Sequence, residues 1–194
     1  MKFMFSIVIW MIALVWILLE VVMIFLNRNK NKGEDLDKLN GVWVWIINTM
    51  SVIVGVMIAV NNKANGFGSY ESHAAIANSI GLVLLLFGIL IRWSAIRTLN
   101  ANFSYTITIR DNHELIQSGI YQIIRHPSYT GFILSFLGIS ITLLNWVTVL
   151  VIIIPAIWVF SNRIKREEKI LTNHFGEPYL NYTDKTYKLF PYIF

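Results

Sequence analysis

Apolar positions fall in long uncharged stretches along this chain. Phe3 to Leu19 holds no charged residue, and after Glu20 the apolar run resumes through Leu26. Leu39 to Asn62 and Ala74 to Ile91 are also uncharged, and His126 to Asn162 is the longest such stretch at 37 residues. A bilayer core of roughly 30 Å takes about 20 apolar helical residues. At about 1.5 Å per residue the longest stretch would make a single helix of roughly 55 Å, more than tilting absorbs. It therefore divides into two short spans joined near Leu144–Asn145–Trp146. The pattern predicts an all-α integral membrane protein of about five transmembrane helices, at approximately 3–26, 41–61, 76–97, 128–144 and 146–163. Residues 98–127 and 163–194 are then a catalytic loop and a C-terminal helical tail of a single domain, 1–194. The first span is too long for a signal peptide and lacks a basic region beyond Lys2 and a small-residue cleavage site.

Composition narrows the class further. Of 194 residues, 56% are hydrophobic and only 14% charged, against roughly 25% charged in a soluble domain. A cytosolic globule, a disordered chain and a nucleic-acid-binding module are excluded. Cysteine is absent, which removes disulfides, zinc-thiolate sites and thiol nucleophiles. The net charge of +5 is unevenly placed: fourteen of the 16 Lys and Arg fall on one side if the N-terminus is outside and the C-terminus cytoplasmic. The positive-inside rule selects that arrangement, and it requires an odd number of spans. Any reacting groups would then sit at the cytoplasmic membrane face, in 98–127 and 163–194.

Those two segments carry the candidate chemistry. Ser118-Gly119-Ile120-Tyr121 is followed by Arg125-His126-Pro127-Ser128-Tyr129-Thr130-Gly131. Pro127 biases His126 out of the helical region and suits the first turn of a following helix, whose free N–H groups attract anions. An interfacial boundary with Arg125 and Tyr129 as headgroup anchors is an equally good reading of this stretch alone. Arg163 and Glu167 lie four residues apart, on one face if the last span continues as a helix. The adjacent carboxylates Glu167 and Glu168 would face an anionic bilayer unfavourably without a cationic partner. Asp111-Asn112-His113-Glu114 reads as a polar turn. Glu20 is an ionisable group inside a span, a functional hypothesis by default, although a place near the cytoplasmic end of the span would also account for it. His113, His126 and His174 lack the spacing of a metal-binding helix, so no metal is expected. No phosphate loop or nucleophile elbow is visible.

Taken together and in order, His113-x-Leu115, Ser118-Gly119-Ile120-Tyr121, Arg125-His126-Pro127-Ser128-Tyr129-x-Gly131, Arg163, Glu167-Glu168, His174-Phe175-Gly176 and Tyr179-x-x-Tyr182 resemble the isoprenylcysteine carboxyl methyltransferase family. The resemblance covers roughly 88–190 and suggests a compact prokaryotic or archaeal-type member; the first two spans show no motif that aligns. It implies a protein-S-isoprenylcysteine O-methyltransferase that uses S-adenosyl-L-methionine and takes a prenylated cysteine from the lipid. By the same resemblance His113, Glu114, Leu115, Ile116, Tyr121, His126, Pro127, Ser128 and Tyr129 would bind the cofactor, with Glu167 closing the site. Arg163 would hold the substrate carboxylate, and Arg92, on the last turn of the third span, aligns more loosely with a functionally important arginine of the family.

The residues suit that role. A C-terminal carboxylate titrates at roughly 3.3–3.7, so near pH 7 it is already a nucleophile and needs no strong base. Positioning against the methyl donor then becomes the task, for which Arg163 offers a planar fork. A contact favouring one oxygen is expected, since gripping both would blunt the nucleophile. The ring of Tyr121 or Tyr129 could face a sulfonium. Keeping a prenyl chain in lipid preserves roughly 0.8 kcal/mol per CH₂, which favours lateral access between spans, with Trp93, Phe132 and Phe136 as candidate walls. The rivals are a phospholipid N-methyltransferase, which wants a proton acceptor and no arginine at the substrate, a nicotinamide-dependent sterol-type reductase, and a non-catalytic transporter or scaffold.

Overall fold

The computed structural model describes residues 10–18, 20–22, 34–35, 38–100, 103–104, 108–109 and 114–191. Helices dominate: α1 (Trp10–Val22), α2 (Lys38–Asn65), α3 (Ala74–Leu99), α4 (Pro127–Thr142), α5 (Trp146–Phe175) and α6 (Glu177–Thr183). Two short 3-10 turns, Glu71–His73 and Gly119–Gln122, lie between them. One feature lies outside the all-helical expectation: β1 (Glu34–Asp35) pairs antiparallel with β2 (Thr108–Ile109).

Among the described residues, three helices are long and apolar enough to cross a membrane, within Trp43–Asn62, Glu71–Leu99 and Trp146–Phe175. Against the expected five crossings, the described residues hold three helices of crossing length and two shorter apolar ones, Trp10–Val22 and Pro127–Thr142. At about 1.5 Å per residue, the 16 residues of α4 reach roughly 24 Å. The last span was expected to end near 163, but α5 is one continuous 30-residue helix. Its uncharged part closes at Asn162 and the remaining turns carry Arg163 to Lys169, so the helix projects its charged end beyond the apolar layer. Gly176, at φ +61, stops it.

Two kinds of packing hold the bundle. Lipid provides no hydrophobic drive between helices, so close backbone approach between small residues matters. The α3–α4 pair is built that way: a Cβ placed on Gly88 would come within 2.6 Å of the Gly131 carbonyl oxygen, and one on Gly138 within 2.6 Å of the Gly81 carbonyl. Beside that seam an aromatic cluster fills the interior, with Trp16 of α1 meeting Phe132 and Phe136 of α4, and Trp45 of α2 meeting Phe132. Outward-facing Val83, Leu90, Ile154 and Trp158 are exposed, as lipid contact demands.

One end of the bundle is closed by a polar knot. Asn145 caps α5, its Oδ1 accepting from Val147 N (2.9 Å) and Thr148 N (3.4 Å), while its Nδ2 donates to the Phe67 carbonyl (2.8 Å). Trp146 N donates to Gly68 O and Tyr70 N to Leu144 O, both at 3.0 Å. Leu144 takes φ +57 to make the tight turn between α4 and α5. At the other end the segment after α6 lies on the segment before α4 in an isolated parallel bridge: Arg125 N donates to Tyr187 O (2.8 Å), His126 N to Lys188 O (3.1 Å), and Tyr187 N to Ile123 O (2.9 Å).

Candidate active site

A cavity opens at the charged end, walled by α2, α3, α4 and α5 and roofed by the segments that precede α4 and follow α5. Ten of the twelve residues given cofactor or substrate roles from the sequence line it: Arg92, Glu114, Leu115, Ile116, Tyr121, His126, Ser128, Tyr129, Arg163 and Glu167. Pro127 does not; it is buried at the first position of α4, where its fixed φ sets the angle at which the helix leaves His126. His113 lies outside the described residues. Arg125-His126 and Glu167-Glu168, about 40 positions apart in sequence, are brought face to face.

A relay of hydrogen bonds crosses the cavity. Arg163 Nε donates to Tyr129 Oη (2.8 Å), which donates to Glu167 Oε2 (2.6 Å). Arg163 and Glu167 are one turn apart on α5, so Tyr129 of α4 is clamped between successive turns of its neighbour. Its ring stacks with His126 (5.7 Å between centroids) and with Phe160 (5.4 Å). His126 Nδ1 is 3.9 Å from Glu167 Oε2. Arg163 is 7% exposed, so its charge acts through little solvent.

Glu168 points away from this relay and into a cationic nest. It accepts from Lys188 Nζ (2.9 Å) and Arg125 Nε (3.1 Å), and His126 Nε2 lies 3.5 Å away. Burial alone would raise its carboxyl, but hydrogen bonds and charge from His126 and Lys188 outweigh that and hold it at about 2. The partner required for adjacent carboxylates at a membrane surface is thus supplied by Arg125 before α4 and Lys188 after α6. Arg125 also ties the segment after α6 down, donating to the Thr183 carbonyl (2.9 Å) and to Thr186. Nearby, Tyr182 donates to the Tyr121 carbonyl (2.7 Å), and burial pushes its phenol up to about 12, with Arg125 opposing.

Arg92, 3% exposed, holds Glu20 with both arms of its fork, the Nη2–Oε2 contact being 2.6 Å, and donates through Nη1 to Ser128. The guanidinium lies 3.7 Å above the Phe132 ring. Sequence reasoning did not pair these two, which stand 72 positions apart; an acid in one apolar span and an arginine in another was the available signal. It also passed over the wall supplied by α2, where Val44, Trp45 and Asn48 face the cavity. Nothing distinguishes those positions within an apolar helix.

Residues 80–173 match the isoprenylcysteine carboxyl methyltransferase (ICMT) family. Protein-S-isoprenylcysteine O-methyltransferase B of Arabidopsis thaliana is 33% identical over 129 residues, 66% of this chain and 65% of its own length. The Xenopus laevis protein-S-isoprenylcysteine O-methyltransferase is 36% identical over 59% of this chain and 40% of its own length. Among solved structures, the eukaryotic intramembrane Ras methyltransferase ICMT superposes with a TM-score of 0.67 at 26% identity, over 75% of this chain and 52% of that one. The chain spans less than two thirds of the length of these ICMT relatives. The matched stretch runs from α3 to the end of α5 and includes the arginines, His126 and both glutamates of the cavity.

Proposed function

We propose that this chain is a methyltransferase of the ICMT family that esterifies the C-terminal carboxylate of a prenylated cysteine, using S-adenosylmethionine. The reading includes five membrane crossings, a cavity facing the cytoplasm, and the compact prokaryotic or archaeal type, although the relatives named above are eukaryotic. The observation that carries it is the shared cavity: Arg163 and eight of the candidate cofactor residues open onto one hollow whose inner wall is aromatic and apolar.

The donor set suits the cofactor. Glu167 and Glu114 supply acceptors for an amino group and ribose hydroxyls, and the backbone N–H of Ser128, in the first turn of α4, is suited to a carboxylate. Leu115, Ile116 and Tyr121 give an apolar and aromatic surface. Arg92 and His126 line the same region, while Pro127 acts from behind by fixing the start of α4. Bound there, S-adenosylmethionine supplies an electrophilic methyl group. Every other requirement falls on the chain. Arg163 holds the substrate carboxylate, and with Nε engaged by Tyr129 the side-on edge of its guanidinium is closed to bidentate pairing. Glu167 and Tyr129 fix the arginine in turn. Because Tyr129 is committed to stacking with His126 and Phe160, Tyr121 is assigned the cationic centre of the donor. No proton moves, since the nucleophile arrives ionised.

The test offers methyl-labelled S-adenosylmethionine to the protein in lipid, with N-acetyl-S-farnesylcysteine or with phosphatidylethanolamine. Label recovered as a base-labile methyl ester of the prenylcysteine supports the reading. Label appearing only in phospholipid overturns it in favour of N-methylation.

A further inference from the structure

The methyl-transfer reading leaves Glu20 without a task, yet this residue is one of the costlier placements in the molecule. It lies within an apolar helix, is 6% exposed, and has both carboxylate oxygens on Arg92. Replacing a buried ion pair by apolar residues is often neutral or stabilising, and ionisable groups inside membrane spans tend to be functional. The position of this pair is informative. Arg92 faces the cavity, and its remaining arm reaches Ser128 in the first turn of α4. Phe132 covers its flat face at 3.7 Å. On the backbone side Gly131 leaves no clearance, since a Cβ there would come within 2.8 Å of the Arg92 Cβ. The guanidinium is thus contacted by Glu20, Ser128 and Phe132, and of these three the carboxylate on α1 is the one that matches its charge.

We infer that Glu20 is a positioning residue that keeps the cavity wall beside Ser128 electrically matched, so that a cationic sulfonium can bind next to an arginine. The inference rests on the methyl-transfer reading. Without Glu20 that wall would carry one more unit of positive charge than it does now. A like charge in a partly buried, water-poor site is only weakly screened, so the loss falls on the cationic methyl donor. S-adenosylhomocysteine, with a neutral sulfur and one methyl group fewer, is spared. Glu20 also keeps the fork of Arg92 occupied, which leaves Arg163 as the arginine that receives the substrate carboxylate.

The experiment measures binding of S-adenosylmethionine and S-adenosylhomocysteine, separately and without methyl acceptor, by calorimetry on the full chain in lipid nanodiscs. Glu20→Gln keeps the shape and removes the charge. It is expected to weaken S-adenosylmethionine about tenfold relative to S-adenosylhomocysteine, the order expected of one unit charge across a partly buried cavity. Arg92→Gln, which leaves the carboxylate unmatched, is expected to move the same ratio the opposite way, and it keeps the question open should Glu20→Gln not fold. Opposite shifts support the assignment. Equal weakening of both ligands in either variant marks a merely structural pair and overturns it. Wild-type protein that binds neither ligand overturns the methyl-transfer reading itself, and this assignment with it.

Discussion

At the end of the bundle where α2 leads to α3 and α4 to α5, the connections are short, nearly uncharged and knotted together through Asn145, Gly68 and Tyr70. At the opposite end the helices stop at different heights. There α5 runs several turns past its apolar part, and the gap is filled by a cavity and by a segment that returns after α6. Both ends satisfy backbone polar groups, but they use different means. The closed end relies on one capping asparagine and backbone pairs. The open end relies on arginines and glutamates from four segments, each held by a partner distant in sequence. In a chain that is only 14% charged, ionised groups gathered around one hollow set this end apart from the closed one and mark it as the place for the proposed chemistry.

The sharpest way to break this contrast is to remove the group on which the open end depends. Arg163→Ala should lower the rate of methyl transfer to a prenylcysteine by on the order of a hundredfold, the scale for losing a charged contact to the reacting group. Affinity for S-adenosylhomocysteine should stay within about threefold, the change expected when no contact to the cofactor is lost; a parallel loss of both would place Arg163 with the cofactor instead. Glu167→Ala should do the reverse in kind, weakening S-adenosylhomocysteine about tenfold, as expected for a lost charge-assisted hydrogen bond. Calorimetry on the two variants side by side checks both.

At the closed end, Asn145→Ala removes the α5 cap and should cost about 1–2 kcal/mol of stability, read as a lower Tm in detergent. Its kcat/KM with a prenylcysteine should remain near wild type. A large fall in kcat/KM would show the two ends to be coupled. The smallest expected effect is acid loosening of the segment after α6. Glu168 titrates at about 2, below the ordinary value of 4.5, so the stabilisation it lends is complete above that ordinary value and fades as the pH falls from there towards 2. Protection of the Arg125, His126 and Tyr187 amides, with exchange corrected for its intrinsic pH dependence, should fall over that window, and Glu168→Gln should flatten the fall.

The helices were legible in the sequence because an uncharged apolar stretch of bilayer length is the signature of a membrane span. The turn at Leu144–Asn145 was legible because the stretch containing it was too long for one span. Glu168 needed a cation on physical grounds, and Arg125 and Lys188 are there. Other contacts were hidden for reasons of the same kind. In lipid, a helix can be apolar on every side, so the faces that Val44, Trp45 and Asn48 present could not be told from outward ones. The Glu20–Arg92 pair depends on how α1 leans against α3, and the segment over Ile123–His126 depends on backbone hydrogen bonds, which side-chain identity does not record. The continuation of α5 through Arg163–Phe175 was visible only as an i, i+4 pair, Arg163 and Glu167, whose meaning depended on the helix being unbroken.

On the methyl-transfer reading, an acid dissolved in the membrane reaches Arg163 through the cavity bounded by α2 and α5. Photo-crosslinking tests it most directly, using S-farnesylcysteine that carries a diazirine on its prenyl chain and full-length protein in nanodiscs. The account predicts adducts on the peptides bearing Val44–Asn48 and Phe160, suppressed by excess unlabelled farnesylcysteine. Adducts spread over the outward faces at Val83, Leu90 and Ile154, and insensitive to that competitor, would contradict it.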